Sequence, residues 1–238
     1  MVMRRLLSVA TAMVVLGLPF ASSASAAKPV IVAGQVLEMI PGTHDLQIYV
    51  NSQENSAVIV LRPSMKVPPK GTFVVAYGVR DGNFTGKNAL GATLTYPQYA
   101  ATHLKATNFL GYFAAGGKVY RPAAEWSQGG VTARVKEVVA NASKGTLLVL
   151  VISNQSSSAV NVDSDQATVV AKASGAEVQA TTDLLEPSNL SSIQPGAVVT
   201  QLAEFTFYPK GGVYSVNVPA FGGDIPDSGL EFTLNLPK

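Results

Sequence analysis

The chain of 238 residues contains no cysteine. That one absence excludes disulfides, thiolate metal sites, a cysteine nucleophile and a lipid-bearing cysteine together. Histidine is almost absent too, with only His44 and His103. Neither lies near a G-x-S-x-G elbow, and no such elbow occurs. There is no H-E-x-x-H or H-x-H pair to hold zinc. Phosphate-cradling glycine loops of the G-x-x-x-x-G-K or G-x-G-x-x-G type are missing as well. After residue 27 no apolar run is long enough to cross a bilayer, which needs roughly 20 residues. The longest candidate, Thr146 to Ile152, has the length of a strand.

What is present begins with the first 27 residues. Arg4 and Arg5 precede an apolar run from Leu6 to Leu18, then Pro19 and a small-residue tract ending Ala24-Ser25-Ala26-Ala27. A basic start, a short apolar stretch and an A-x-A site make a bacterial-style secretory leader. The mature chain is therefore expected outside the cytoplasm, where ATP-driven and NAD-driven roles are excluded by location. The chain ends plainly at Leu236-Pro237-Lys238, and the sequence does not separate periplasm, cell surface and full export.

Charge divides the mature chain. Residues 28–122 hold nine Lys/Arg against four Asp/Glu, a balance of +5. Residues 123–238 hold six against eleven, a balance of −5. Oppositely charged halves suggest two domains that attract each other or a partner.

Residues 28–105 read as five short strands. Leu46, Ile48 and Val50 alternate with polar neighbours, and Ala57–Leu61 is a continuous apolar run. Three prolines in Pro63–Gly71 forbid a helix. Thr72–Val79 is a strand, Asp81-Gly82-Asn83 marks a turn, and a last strand falls within Tyr99–Ala106. Five strands in that length predict a small barrel. Residues 106–130 read as a connector rich in glycine, alanine and aromatics. An aromatic-rich connector is expected to pack between domains. Residues 131–238 carry about seven strands with turns every 8–12 residues, the pattern of an immunoglobulin-like sandwich. Thr146–Asn154 is its buried central strand, and Leu230, Phe232, Leu234 and Leu236 give a one-faced last strand. The predicted class is thus all-β, with a barrel followed by a sandwich.

Two resemblances accompany these patterns. The order of strands in 28–105, with a Lys70-Gly71 step before the fourth and a return strand ending His103-Leu104-Lys105, resembles short secreted bacterial OB-fold domains that lack the usual helix. The second half has a buried strand ending at Asn154 and followed by Ser156-Ser157-Ser158. Then come Ser191-Ser192-Ile193-Gln194-Pro195-Gly196 and a strand ending Phe205-Thr206-Phe207. This resembles the secreted immunoglobulin-like domains of Gram-positive lipoproteins and mycobacterial secreted antigens. That resemblance implies an Asn that closes a turn and a Pro-Gly that starts the next strand. It implies no particular activity.

Candidate chemistry is sparse. OB-folds bind oligonucleotides or oligosaccharides across their second and third strands, using basic groups and stacking aromatics. On this barrel, Gln47 and Tyr49 on the second strand, Arg62 after the third and Arg80 at the end of the fourth are the candidate binding residues. Asn161-Val162-Asp163-Ser164-Asp165 places oxygen ligands at alternate positions, like the start of a calcium loop. Gln166 stands where that loop needs glycine, and Lys172 where it needs glutamate. A solvated turn, and no metal or cofactor, is expected. Sequons at Asn83, Asn141, Asn154 and Asn189 are expected to be chance matches.

The leading expectation is a secreted, non-enzymatic envelope protein that acts as a protein-interaction or structural module. Its partner would be an envelope protein or a cell-wall polymer. The alternative is a carbohydrate- or oligonucleotide-binding module on the basic barrel, with nucleic acid disfavoured by secretion. A hydrolase with acids or His44 in an interdomain cleft is the weakest reading.

Overall fold

The structure, a computed structural model, describes residues 28–50, 55–87, 92–181, 189, 192–222 and 224–237. The expected leader, residues 1–27, lies outside these residues. The described chain is all-β with one short helix.

The strands β1 (Pro29–Met39), β2 (Leu46–Tyr49), β3 (Ser56–Val60), β4 (Phe73–Lys87) and β5 (Thr93–Thr107) form a closed barrel in the order β1-β2-β3-β5-β4. The β3–β5 pair is parallel and the others antiparallel. Val36, Leu46, Ile48, Ala57, Ile59, Leu61, Val74 and Ala76 fill its interior. Strong coiling needs close strand crossings, and two glycines provide them. A Cβ on Gly34 would collide with the Tyr49 carbonyl oxygen, and one on Gly78 with that of Ala100.

One turn is corrected. Asp81-Gly82-Asn83 does not end a strand but lies within β4. The β4–β5 register shifts between Arg80 and Asn83, and Gly82 has φ +71°. A β-bulge uses a left-handed glycine just as a tight turn does, so the same residues signal both. The hairpin runs on to the Lys87–Thr93 pair. β1 begins at Pro29, opposite Val79, and β3 meets β5 no further than Gln98. Beyond these limits β4 and β5 form a two-stranded ribbon that projects from the barrel.

The segment 106–130 is more than a connector. It holds α1 (Phe109–Ala114) and two strands, β6 (Lys118–Tyr120) and β7 (Ala124–Gln128), both paired to β8 (Val131–Asn141). The rest comprises β9 (Gly145–Asn154), β10 (Val160–Val162), β11 (Thr168–Ala171), β12 (Glu177–Gln179), β13 (Ser192–Ile193), β14 (Val198–Phe205), β15 (Gly212–Val218), β16 (Ala220–Phe221) and β17 (Leu230–Leu236). A sheet of order β14-β9-β8-β6, with β7 beside β8, stacks on the sheet β12-β11-β15-β17 and the small sheet β13-β10-β16. Leu148, Leu150, Ile152 and Phe205 from one layer meet Val162, Val216, Leu230 and Phe232 from the other.

The unbroken apolar run of β9 now has a cause. Leu148, Leu150 and Ile152 face the sandwich core, while Leu147 and Val149 face α1 and the barrel. A strand buried on both faces loses its alternation.

Helix α1 has six residues, too few to be stable alone. It is held from both sides. Asn108 caps its start by accepting from the Gly111 amide at 2.9 Å. Tyr112 donates its hydroxyl to the Val50 carbonyl of the barrel at 3.0 Å. From the β8–β9 turn, Asn141 donates to the carbonyls of Phe113 and Ala115, each at 2.9 Å, and Lys144 donates to that of Tyr112 at 3.0 Å. The two Asn141 bonds satisfy carbonyls at the helix end that the helix itself leaves without a partner. Phe109, Tyr112 and Phe113 are buried together with Ala33 and Val75 of the barrel and Val139, Leu147 and Val149 of the sandwich.

The Asn residues of three sequons are structural. Asn154, fully buried, donates to the carbonyls of Ser158 and Ile193 and accepts from the Ser156 amide and hydroxyl. Gly196 N–H donates to its carbonyl, and β14 then starts at Val198. Asn189 is bonded through both ends of its amide to the main chain of Leu202. It pairs with β14 as a neighbouring strand would, and so blocks part of an exposed edge.

Candidate binding surface on the barrel

Cross-strand pairing decides which residues share a face. On the outer side of β1, β4 and β5 the rows are Gln35–Phe73–Thr107, Ala33–Val75–Lys105 and Ile31–Tyr77–His103. Phe73, Ala33 and Val75 pack against α1 and the β8–β9 face of the sandwich. The third row continues the same face but is uncovered. Ile31 is 49% exposed and Tyr77 41%, and the His103 ring lies beside that of Tyr77 with centroids 5.8 Å apart. Thr102 donates to the Tyr77 carbonyl at 2.9 Å and steadies the strand there. Lys105 is exposed at the patch edge. Further along β4 the chain passes Arg80 and enters the projecting ribbon. An apolar and aromatic row thus sits between the domain junction and the root of a two-stranded arm.

The four residues proposed from sequence are not on one face. Gln47 and Tyr49 point outward, since Leu46 and Ile48 beside them are fully buried in the barrel. Arg62 is exposed just beyond β3, where its carbonyl accepts from the Met65 amide at 2.9 Å. Arg80 pairs with Tyr99, and Tyr99 pairs with the core residue Ile59. That register puts Arg80 on the interior-facing side, over the end of the barrel. Its guanidinium lies 5.1 Å from the Tyr99 ring centroid and donates to the Gln98 carbonyl at 3.0 Å and to Asn83. The arginine is engaged within the hairpin rather than presented beside Gln47 and Tyr49.

His44 is half-buried, with Nε2 3.0 Å from the Met65 carbonyl, and ties the β1–β2 loop to the loop after β3. His103 belongs to the outer row. Sequence reading left Tyr77 unmarked. The missing signal was pairing register: Tyr77 lies in a strand read correctly, but its neighbours come from two others.

Burial pushes the Lys144 ammonium down from 10.5 to about 8, while the charge of Glu204 acts the other way. The ammonium also lies 4.6 Å from the Tyr112 ring centroid. Lys144 belongs to the packing around α1, not to the outer row. Among the described residues no group of three or more His, Asp or Glu could hold a metal ion. No helix among them is long and apolar enough to cross a membrane.

No family model and no curated protein matches the chain. Among solved structures, a mitochondrial single-stranded-DNA-binding protein of S. cerevisiae, Rim1, aligns with 34% of this chain and 94% of its own at 14% identity. The TM-score is 0.24, too low to carry an argument.

Proposed function

We propose that this is a secreted, non-enzymatic protein of the cell envelope that works by holding a partner protein on its barrel. The observation that carries the reading is the uncovered Ile31–Tyr77–His103 row. It continues the barrel face that already packs against α1 and the second domain. Apolar and aromatic side chains left exposed on an ordered sheet are the usual centres of interaction surfaces. The adjoining ribbon offers edges that no other described strand pairs with, suited to main-chain pairing with an extended segment. The leader-like residues 1–27 support export, and the opposite charges of the two halves support a partner attracted to the basic barrel.

The test is capture. Immobilised residues 28–238 are exposed to solubilised envelope proteins and, separately, to purified cell-wall polymer. A specific protein retained by the native chain and lost with the Ile31→Ser, Tyr77→Ser pair supports the reading. Retention of polymer alone, lost as salt rises, would move the function to the basic-barrel alternative.

A further inference from the structure

The sandwich carries a cavity of about 370 Å³, lined in part by Asn161, Asp163, Ser164, Asp165, Asn189 and Phe221. That is within the range of small-ligand pockets, about 300–1,000 Å³. Two of its lining residues, Asn161 and Phe221, lie on one cross-strand row. Ser192, Asn161 and Phe221 are opposite one another in β13, β10 and β16, so they share the outer face of the small sheet. Phe221 is 59% exposed, among the most exposed large apolar side chains described. We infer that this cavity binds a neutral pyranose.

The chemistry follows from the lining. The axial C–H bonds of a pyranose carry slight positive charge and suit the negative face of a phenyl ring. Hydroxyl groups need acceptors and donors in fixed positions. Asp163 and Asp165 supply carboxylate acceptors, and the Asn161 amide supplies both donor and acceptor. Among the described residues, no lysine or arginine lines the cavity. Two carboxylates without a cation disfavour an anionic sugar, so the site selects for an uncharged one.

The lining is also held in place. Beneath it the buried Ser164 hydroxyl donates to buried Gln201 of β14 at 3.0 Å. Asn189 donates to Asp165 at 2.8 Å. The Asp163 amide donates to the Pro219 carbonyl at 2.9 Å, next to β16. Groups already positioned lose little freedom on binding.

The experiment is an amide NMR titration of the mature chain, residues 28–238, with maltotriose, cellotriose and chitotriose in turn. Trigalacturonate and calcium chloride serve as the competing chemistries. At least one neutral trisaccharide should shift the amides of Asn161, Ser192 and Phe221 saturably, and trigalacturonate should not. Phe221→Ala, at an exposed position, should leave the spectrum folded and weaken binding about tenfold or more, the equivalent of about 1.4 kcal/mol. Asp163→Asn should also weaken it. The assignment is overturned if none of the three neutral sugars gives a saturable shift up to about 20 mM. It is equally overturned if binding survives Phe221→Ala, or if these amides respond to calcium alone. None of these outcomes depends on what the barrel captures.

Discussion

Asn141 and Asn154 close opposite ends of the β8–β9 pair with the same set of bonds. Each accepts from the amide and hydroxyl of the serine two residues on, and each donates to two main-chain carbonyls. At one end the carbonyls belong to the α1 region, at the other to Ser158, in the turn after β9, and to Ile193 of β13, just before β14. One local device therefore fixes both the end of α1 and the sandwich.

Replacing either asparagine by alanine leaves two carbonyls without their amide donor. The expected loss is about 2 kcal/mol or more of unfolding free energy for each variant. Urea unfolding followed by tryptophan fluorescence and circular dichroism measures it. Asn154→Asp should not rescue, because a carboxylate cannot donate to the Ser158 and Ile193 carbonyls. Native-like stability in Asn154→Ala would show that the turn is not held in this way.

Lys144 gives the junction a pH signature. Its folded pKa, about 8, lies below the ordinary 10.5 because burial disfavours the ammonium. Between those values the unfolded chain binds more protons than the folded one, so stability rises with pH across that window. Below about pH 8 both states are protonated and the gain is absent. The native chain should therefore show a steeper upward trend in stability from pH 8 to 10 than Lys144→Gln. Parallel trends in the two proteins would mean that Lys144 titrates normally.

The barrel tolerates no side chain at Gly78. A methyl group there meets the backbone of Ala100 on the paired strand, which cannot yield without breaking the β4–β5 ladder. Gly78→Ala should destabilise by more than about 2 kcal/mol, whereas Gly42→Ala, with open space around it, should cost less and only through its positive φ. Thermal unfolding of the two variants side by side makes the comparison.

The sequence was most legible where one face of a strand is buried. Leu46 and Ile48, and Leu230 through Leu236, alternate as their burial does. Residues 118–128 were missed as strands because β6 and β7 are short, and Glu125-Trp126-Ser127 shows no clean period. Asp81-Gly82 was misread because left-handed glycine serves a bulge as well as a turn. The outer row escaped notice for a different reason. Ile31, Tyr77 and His103 come from three strands, and only register brings them together. Asn161, Asp163 and Asp165 were recognised as a polar cluster, but the Phe221 beside them depends on a two-residue strand that no pattern announces.

The most direct test of the binding role is to map the partner's footprint. Residues 28–238 carrying a photo-crosslinking residue at Ile31, and a second version carrying it at the exposed Glu231 of the sandwich, are irradiated with solubilised envelope proteins and resolved by mass spectrometry. A discrete protein adduct formed from position 31, absent from position 231 and suppressed by Tyr77→Ser, is the predicted result. No adduct from position 31, or the same adducts from both positions, would contradict a partner site on the Ile31–Tyr77–His103 row.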